Sequence, residues 1–81
     1  MADRPELFHR IDEADSAAAR RALAALGLVG RVELQNVFYE SHAARLAALG
    51  GGTETPALRD GAGLHRGLAA VLAALGELAK G

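Results

Sequence analysis

The sequence predicts an α/β domain, a mixed four-stranded sheet with helices on both faces in the order β-α-β-α-β-β-α. Three observations predict it. Two apolar segments of strand character, residues 6–11 and 32–38, flank a stretch with helical spacing of its apolar positions. A tight Asp-Gly turn at Asp60-Gly61 lies between two further short apolar segments. The C-terminal residues carry Leu68, Val71, Leu72, Leu75 and Leu78 at the spacing of an amphipathic helix. A strand–helix–strand unit implies a right-handed crossover and a parallel pair, and the hairpin adds an antiparallel one.

The elements follow in order. After Pro5, Leu7, Phe8 and Ile11 suit a short buried strand. Asp15 or Ser16 can cap the next helix, because a short side-chain oxygen accepts from the free N–H groups of a first turn. Ala19, Ala22, Leu23 and Leu26 recur at helical spacing, Arg20 and Arg21 are expected to turn outward, and Gly27 and Gly30 end the helix. The segment "RVELQNVFYE" reads as a second strand, with Val32, Leu34 and Phe38 as its apolar positions. "SHAARLAALGGG" reads as a short helix capped by Ser41, with Ala43, Leu46, Ala47 and Leu49 apolar, stopped by three glycines. "TPALRDGAGLH" reads as a hairpin with strands at Ala57-Leu58 and Gly63-Leu64. The last helix spans 66–79. No internal repeat or linker interrupts residues 1–81, which form one domain with one core.

Composition narrows the function. Apolar residues make up 51% of the chain and charged residues 23%, with a net charge of −1, which is the balance of a folded domain. The cations are nearly all arginine and are scattered, so the charge favours neither nucleic-acid nor acidic partners. The absence of cysteine excludes disulfides, thiolate metal sites and thiol redox chemistry by this chain's own residues. "MADRPELF" lacks the apolar core of a signal peptide and no apolar run approaches the roughly 18 residues of a membrane span, so a cytoplasmic protein without membrane contact is expected.

The element order, with a proline opening the third strand, resembles the thioredoxin fold in its minimal glutaredoxin form and the N-terminal domain of glutathione transferases. The resemblance covers nearly the whole chain. In glutaredoxins a Cys-x-x-Cys opens the first helix. Leu23, Leu26 and Gly27 match the usual Leu-x-x-Leu-Gly helix end, which places that motif on Glu13-Ala14-Asp15-Ser16, where both cysteines are missing. A serine-type transferase wants a hydroxyl near the first of these positions. Glu13 stands there, and a carboxylate facing a thiol raises its pKa, the opposite of activation. "FHRIDE" resembles the Tyr-x-Lys-Pro-x-Cys lead-in, so the resemblance puts Arg10 where a lysine holds a glutathione carboxylate. "ETPAL" resembles the Val-Pro-Ala-Leu segment, which implies a cis Pro56 and a Thr55 backbone that offers a strand-like edge to an extended peptide. The Glu-Ser of transferases falls on Gly67-Leu68, and His65-Arg66-Gly67-Leu68 does not match the Gly-Gly-x-Asp of glutaredoxins, so the γ-glutamyl contact is lost.

The resemblance therefore implies a binding or interaction module without oxidoreductase activity. Its expected ligand-binding residues are Arg10, Glu13, Ser16, Thr55 and Pro56, with no catalytic residue. The expected ligand is an extended peptide, a thiol peptide such as glutathione, or a protein partner, and no cofactor is required. Two alternatives are a weak glutathione-binding, transferase-like protein and a structural homodimer joined through Ala69, Ala70, Ala73 and Ala74. Other clusters carry less. Arg10 has Asp12 and Glu13 close by in sequence as ion-pair partners. His9 and His65, near Asp12, Glu13 and Asp15 in the expected fold, have no metal-ligand spacing and are expected to face solvent, as is His42. Ser16 with a histidine lacks an oxyanion hole and an orienting acid. Gly50-Gly51-Gly52 follows a helix and precedes no Lys-Ser/Thr, unlike a phosphate loop.

Overall fold

The computed structural model describes residues 4–81, so Met1–Asp3 of the opening stretch lie outside the described residues. The elements are β1 (Glu6–His9), α1 (Ala14–Ala25), β2 (Glu33–Asn36), α2 (Glu40–Ala48), β3 (Ala57–Asp60), β4 (Gly63–Arg66) and α3 (Leu68–Lys80). They form a mixed four-stranded sheet in the order β2-β1-β3-β4. β1 pairs parallel with β2, Leu7 opposite Leu34. It pairs antiparallel with β3, Leu7 opposite Leu58, and β3 turns back antiparallel onto β4. Asp60 Oδ1 closes that hairpin by accepting from the N–H groups of Ala62 and Gly63 at 2.8 and 3.2 Å.

Alternation along β1 divides the core in two. Leu7 and its neighbour Leu58 pack under α1 and α3 with Ala19, Leu23, Leu28, Val32, Val71, Ala74 and Leu75. Phe8 and Ala57, one residue on, face the other way and pack under α2 with Val37 and Leu46. Both α1 and α2 end in the same way. The N–H of the glycine after the last turn bonds the carbonyl three residues back (Gly27 to Ala24, Gly50 to Ala47), and the next N–H reaches five back (Leu28 to Leu23, Gly51 to Leu46). This motif needs a left-handed residue, and Gly27 and Gly50 have φ of 72° and 89°.

Several local expectations are corrected. Strand β1 stops at His9, so Ile11 is 66% exposed in the turn that follows. Neither Ser16 nor Ser41 caps a helix; the cap residues are Glu13 and Tyr39, and neither makes a side-chain cap bond. In the second strand the inward positions are Val32 and Val37, which flank it, while Leu34 and Phe38 are exposed, because β2 is an edge strand and Phe38 lies in the turn beyond it. Arg20 is half-buried against β1 rather than turned outward.

The central strand also carries a buried carboxylate. Glu6 is only 5% exposed, on the α2 face. Arg45 Nε and Nη2 donate to its two oxygens at 2.7 and 2.8 Å, Arg59 Nε donates at 2.5 Å and Gln35 Nε2 at 3.0 Å. The Arg45 hydrogen bonds, helped by Arg59 and Gln35 against the opposing effect of burial, lower its pKa to about 2. These pairs therefore contribute fully above pH 4.5, the ordinary glutamate value, and are lost as pH falls toward about 2.

Two outcomes are expected in urea unfolding. Glu6→Gln leaves two guanidinium groups without their carboxylate and lowers stability by about 3 kcal/mol at neutral pH, with a gap to the wild type that narrows below pH 4. Gly51→Ala places a methyl group onto Leu46 Cδ1 and 3.0 Å from Leu64 Cδ2. Since Leu46 is buried and has little room to yield, a loss of about 1–3 kcal/mol is expected.

Candidate functional site

At the C-terminal end of β1 the chain leaves the sheet and turns into α1. Because Leu7 and His9 share one face, Arg10 points the other way, toward the loop before β3. Its Nε donates to Thr55 Oγ1 at 3.1 Å and its Nη2 to the carbonyl of Thr53 at 2.9 Å. The Thr55 hydroxyl in turn donates to Glu13 Oε1 at 2.8 Å. Ser16 Oγ donates to that same oxygen at 2.5 Å and accepts from the Arg10 N–H at 3.0 Å. The ring is closed: Arg10, Thr55, Glu13, Ser16, and back to Arg10. Pro56, fully buried, follows through a cis Thr55–Pro56 bond, and its carbonyl accepts from Gly67 N–H at 3.0 Å.

The five residues singled out from the sequence thus meet in one place. Their roles differ from a simple list of ligand contacts. Ser16 is fully buried and ties α1 to the end of β1. Glu13 is occupied by two hydroxyl groups, and Arg10 bonds the proline loop rather than Asp12 or Glu13. Among the described residues no carboxylate forms an ion pair with Arg10. Thr55 is 9% exposed, yet among the described residues no hydrogen bond engages its main-chain N–H or C=O. Backbone groups this close to burial are almost always paired, with protein, water or ligand. A cleft of about 370 Å³ opens beside Arg10, lined also by Ile11, Asp12, Asn36 and Phe38.

Sequence reasoning missed the support beneath this ring. His9 is 4% exposed rather than solvent-facing. Arg20 Nη1 reaches it from α1, donating to Nδ1 at 3.0 Å and to the Arg10 carbonyl at 3.0 Å. Since an arginine only donates, Nδ1 accepts and the imidazole is neutral with its proton on Nε2. Burial lowers the His9 pKa, and the positive charges of Arg20 and His42 push it the same way. A signal for this existed: His9 is two residues from Leu7 in an alternating strand, and Arg20 is one turn beyond Ser16 on a face shared with Leu23. His65 is also not free in solvent; its Nε2 lies 3.0 Å from Asp60 Oδ2 on the hairpin. Burial would raise the Asp60 pKa, but the His65 bond and the turn N–H groups outweigh it and hold it low.

Among the described residues no group of three or more histidine and acidic side chains is placed to hold a metal ion. No helix of the described residues is long and apolar enough to cross a membrane. No known family model matches the chain, and no curated protein sequence matches it significantly.

The depressed His9 pKa has a definite sign. The folded protein resists the proton that the unfolded chain takes up near pH 6.5, so the His9 contribution is whole above that pH and is lost as pH falls through the lower folded value. In an imidazole NMR titration of the folded protein, one histidine is expected to titrate clearly below pH 6.5 and to vanish from the spectrum of His9→Gln. A His9 ring that titrates at or above 6.5 would contradict the arrangement.

Proposed function

We propose that this chain is a cysteine-free, glutaredoxin-like domain of thioredoxin-type fold that binds an extended peptide segment beside the Thr55–Pro56 bond and performs no thiol redox chemistry. The order of elements and the order of strands are compatible with that fold. The observation that carries the reading is the open main chain of Thr55, a nearly buried residue whose N–H and C=O have no partner among the described residues. An extended ligand satisfies both groups at once, as an added strand does at a sheet edge. Arg10 supports the reading, because the loop holds its guanidinium at the mouth of the site while leaving its charge unneutralised.

The missing cysteine removes the nucleophile, and Glu13 occupies its neighbourhood with a carboxylate. A transferase-like activity on an external thiol therefore has no group here that favours a thiolate. Glutathione is one peptide of suitable shape, but Asp12, Glu13 and Asp15 repel a ligand with two carboxylates.

The test is an NMR titration of labelled protein with short extended peptides and, separately, with reduced glutathione, each up to about 1 mM, the range of weak binding. Saturable shifts at the amides of Arg10, Ser16 and Thr55 are expected from at least the peptides. A flat titration with every ligand would overturn the groove.

A further inference from the structure

We propose that the open edge of β2 pairs with a second copy of this chain, antiparallel about a twofold axis at Leu34, so that two four-stranded sheets join into one. This edge lies on the other side of β1 from β3 and its proline loop, and the inference does not rest on the peptide groove.

The first observation is an unfilled hydrogen-bonding row. β2 is an edge strand and pairs with β1 alone. Glu33 N–H donates to the Pro5 carbonyl at 2.8 Å and Val37 N–H to the His9 carbonyl at 3.0 Å. These bonds fix the phase of the parallel ladder: residues 33, 35 and 37 turn their main-chain groups toward β1, and Leu34 turns its own outward. Among the described residues neither the N–H nor the C=O of Leu34 has a hydrogen-bond partner. Exposed edges are ordinarily blunted by lysine, proline or a bulge, and residues 33–36 carry none of these.

The second is that the strand's own chemistry selects one register for self-pairing. A twofold axis at Glu33 sets two carboxylates directly opposite each other, which destabilises the pair. An axis at Gln35 or Asn36 needs the Asn36 carbonyl as an acceptor. Both lone pairs of that oxygen are taken, by Tyr39 N–H at 3.1 Å and His42 Nδ1 at 3.0 Å. An axis at Leu34 meets neither obstacle. Leu34 then exchanges both main-chain bonds with its counterpart, and Asn36 N–H reaches the Val32 carbonyl. The groups left facing each other, the Asn36 carbonyl and the Val32 N–H, are already bonded within the chain. Glu33 falls opposite Gln35, whose side-chain amide donates one N–H to Glu6 at 3.0 Å and has a second for a carboxylate.

The third is exposed apolar surface along the same edge. Leu34 is 47% exposed, Phe38 83% and Val29 71%. The axis at Leu34 stacks the two leucines and brings Phe38 of each copy toward Val29 of the other, which removes apolar surface from water in addition to the backbone pairing.

The test is a concentration series of the labelled full chain from about 20 µM to about 1 mM, the span in which a weak pair forms. It is read by sedimentation velocity and by deuterium exchange of the Leu34 amide. Sedimentation is expected to move from monomer to dimer, and Leu34 N–H exchange to slow by at least about fivefold at the top concentration, as that amide becomes bonded. Leu34→Lys and Leu34→Glu each set like charges across the axis and are expected to stay monomeric, while an equimolar mixture of the two sediments as a dimer. Ala69→Lys, at an exposed position on α3, should leave the dimer intact. A monomer at every concentration would overturn the pairing. So would a dimer that survives Leu34→Lys, or one that Ala69→Lys disperses, which moves the contact to α3. Species that keep growing beyond a dimer would overturn the closed twofold.

Discussion

The structure depends on β1 being buried on both faces. It lies between β2 and β3 in the sheet, with α1 and α3 on one side and α2 on the other, and all four of its residues are buried. Such a position normally demands four apolar side chains. Only Leu7 and Phe8 meet that demand; Glu6 and His9 are ionisable and must be compensated from elsewhere. The compensation organises both sides of the sheet. Glu6 draws Arg45 from α2, Arg59 from β3 and Gln35 from β2 to one point, so one carboxylate joins three elements across the face that α2 covers. A buried pair of this kind adds little compared with a well-packed apolar cluster, but removing one member leaves the others uncompensated. Its contribution is therefore to relative placement, fixing α2 against the sheet.

His9 is compensated differently, and the difference reaches the candidate site. Burial and the neighbouring Arg20 guanidinium disfavour its charged form, so it remains neutral and serves as an acceptor. Arg20 divides its Nη1 donor between the His9 ring and the Arg10 carbonyl. The backbone of Arg10 is thereby held from α1 twice, once through its carbonyl by Arg20 and once through its N–H by Ser16. Its side chain is held by the proline loop. The end of β1 and the first turns of α1, neighbours in sequence, are thus locked to the loop before β3, where Thr55 lies 42 residues beyond Glu13. Every side chain in this ring has its partners, whereas the Thr55 main chain does not. Among the described residues every buried side-chain polar atom has a hydrogen-bond partner.

Much of this was legible in the sequence, and the failures share a cause. Strong local patterns survived folding: the Leu/Val stripe of α3, the Asp60-Gly61 turn, the glycines that end α1 and α2. Each depends on a backbone preference or a periodicity that the chain carries within a few residues. What failed depended on position in the sheet. Leu34 and Phe38 look like core residues, yet β2 is an edge strand and Phe38 lies in the turn beyond it. His9 and Glu6 look like surface residues, yet their strand is central. Ser16 has the composition of a cap, but the Arg10 N–H and the Glu13 carboxylate engage its hydroxyl first, and those partners come from the turn before the helix and the end of β1. The five candidate residues were legible only through resemblance to a fold with a known groove; spacing in the chain does not bring Thr55 to Glu13, which lie 42 residues apart.

The acidic turn after β1 is where the physical chemistry of this domain diverges from a thiol-handling one. A thiolate needs nearby positive charge or N–H donors to depress its pKa. Here a carboxylate, Glu13, stands at the N-cap of α1 without bonding its N–H groups, and the hydroxyl groups of Ser16 and Thr55 both donate to Glu13 Oε1. Glu13 therefore consumes the polarity that activation would use, and converts it into the bond between α1 and the proline loop. Arg10 is the one strong charge at this end of the sheet that the ring orients without neutralising. What the ring leaves at this end of the sheet is an oriented guanidinium beside a nearly buried Thr55 main chain.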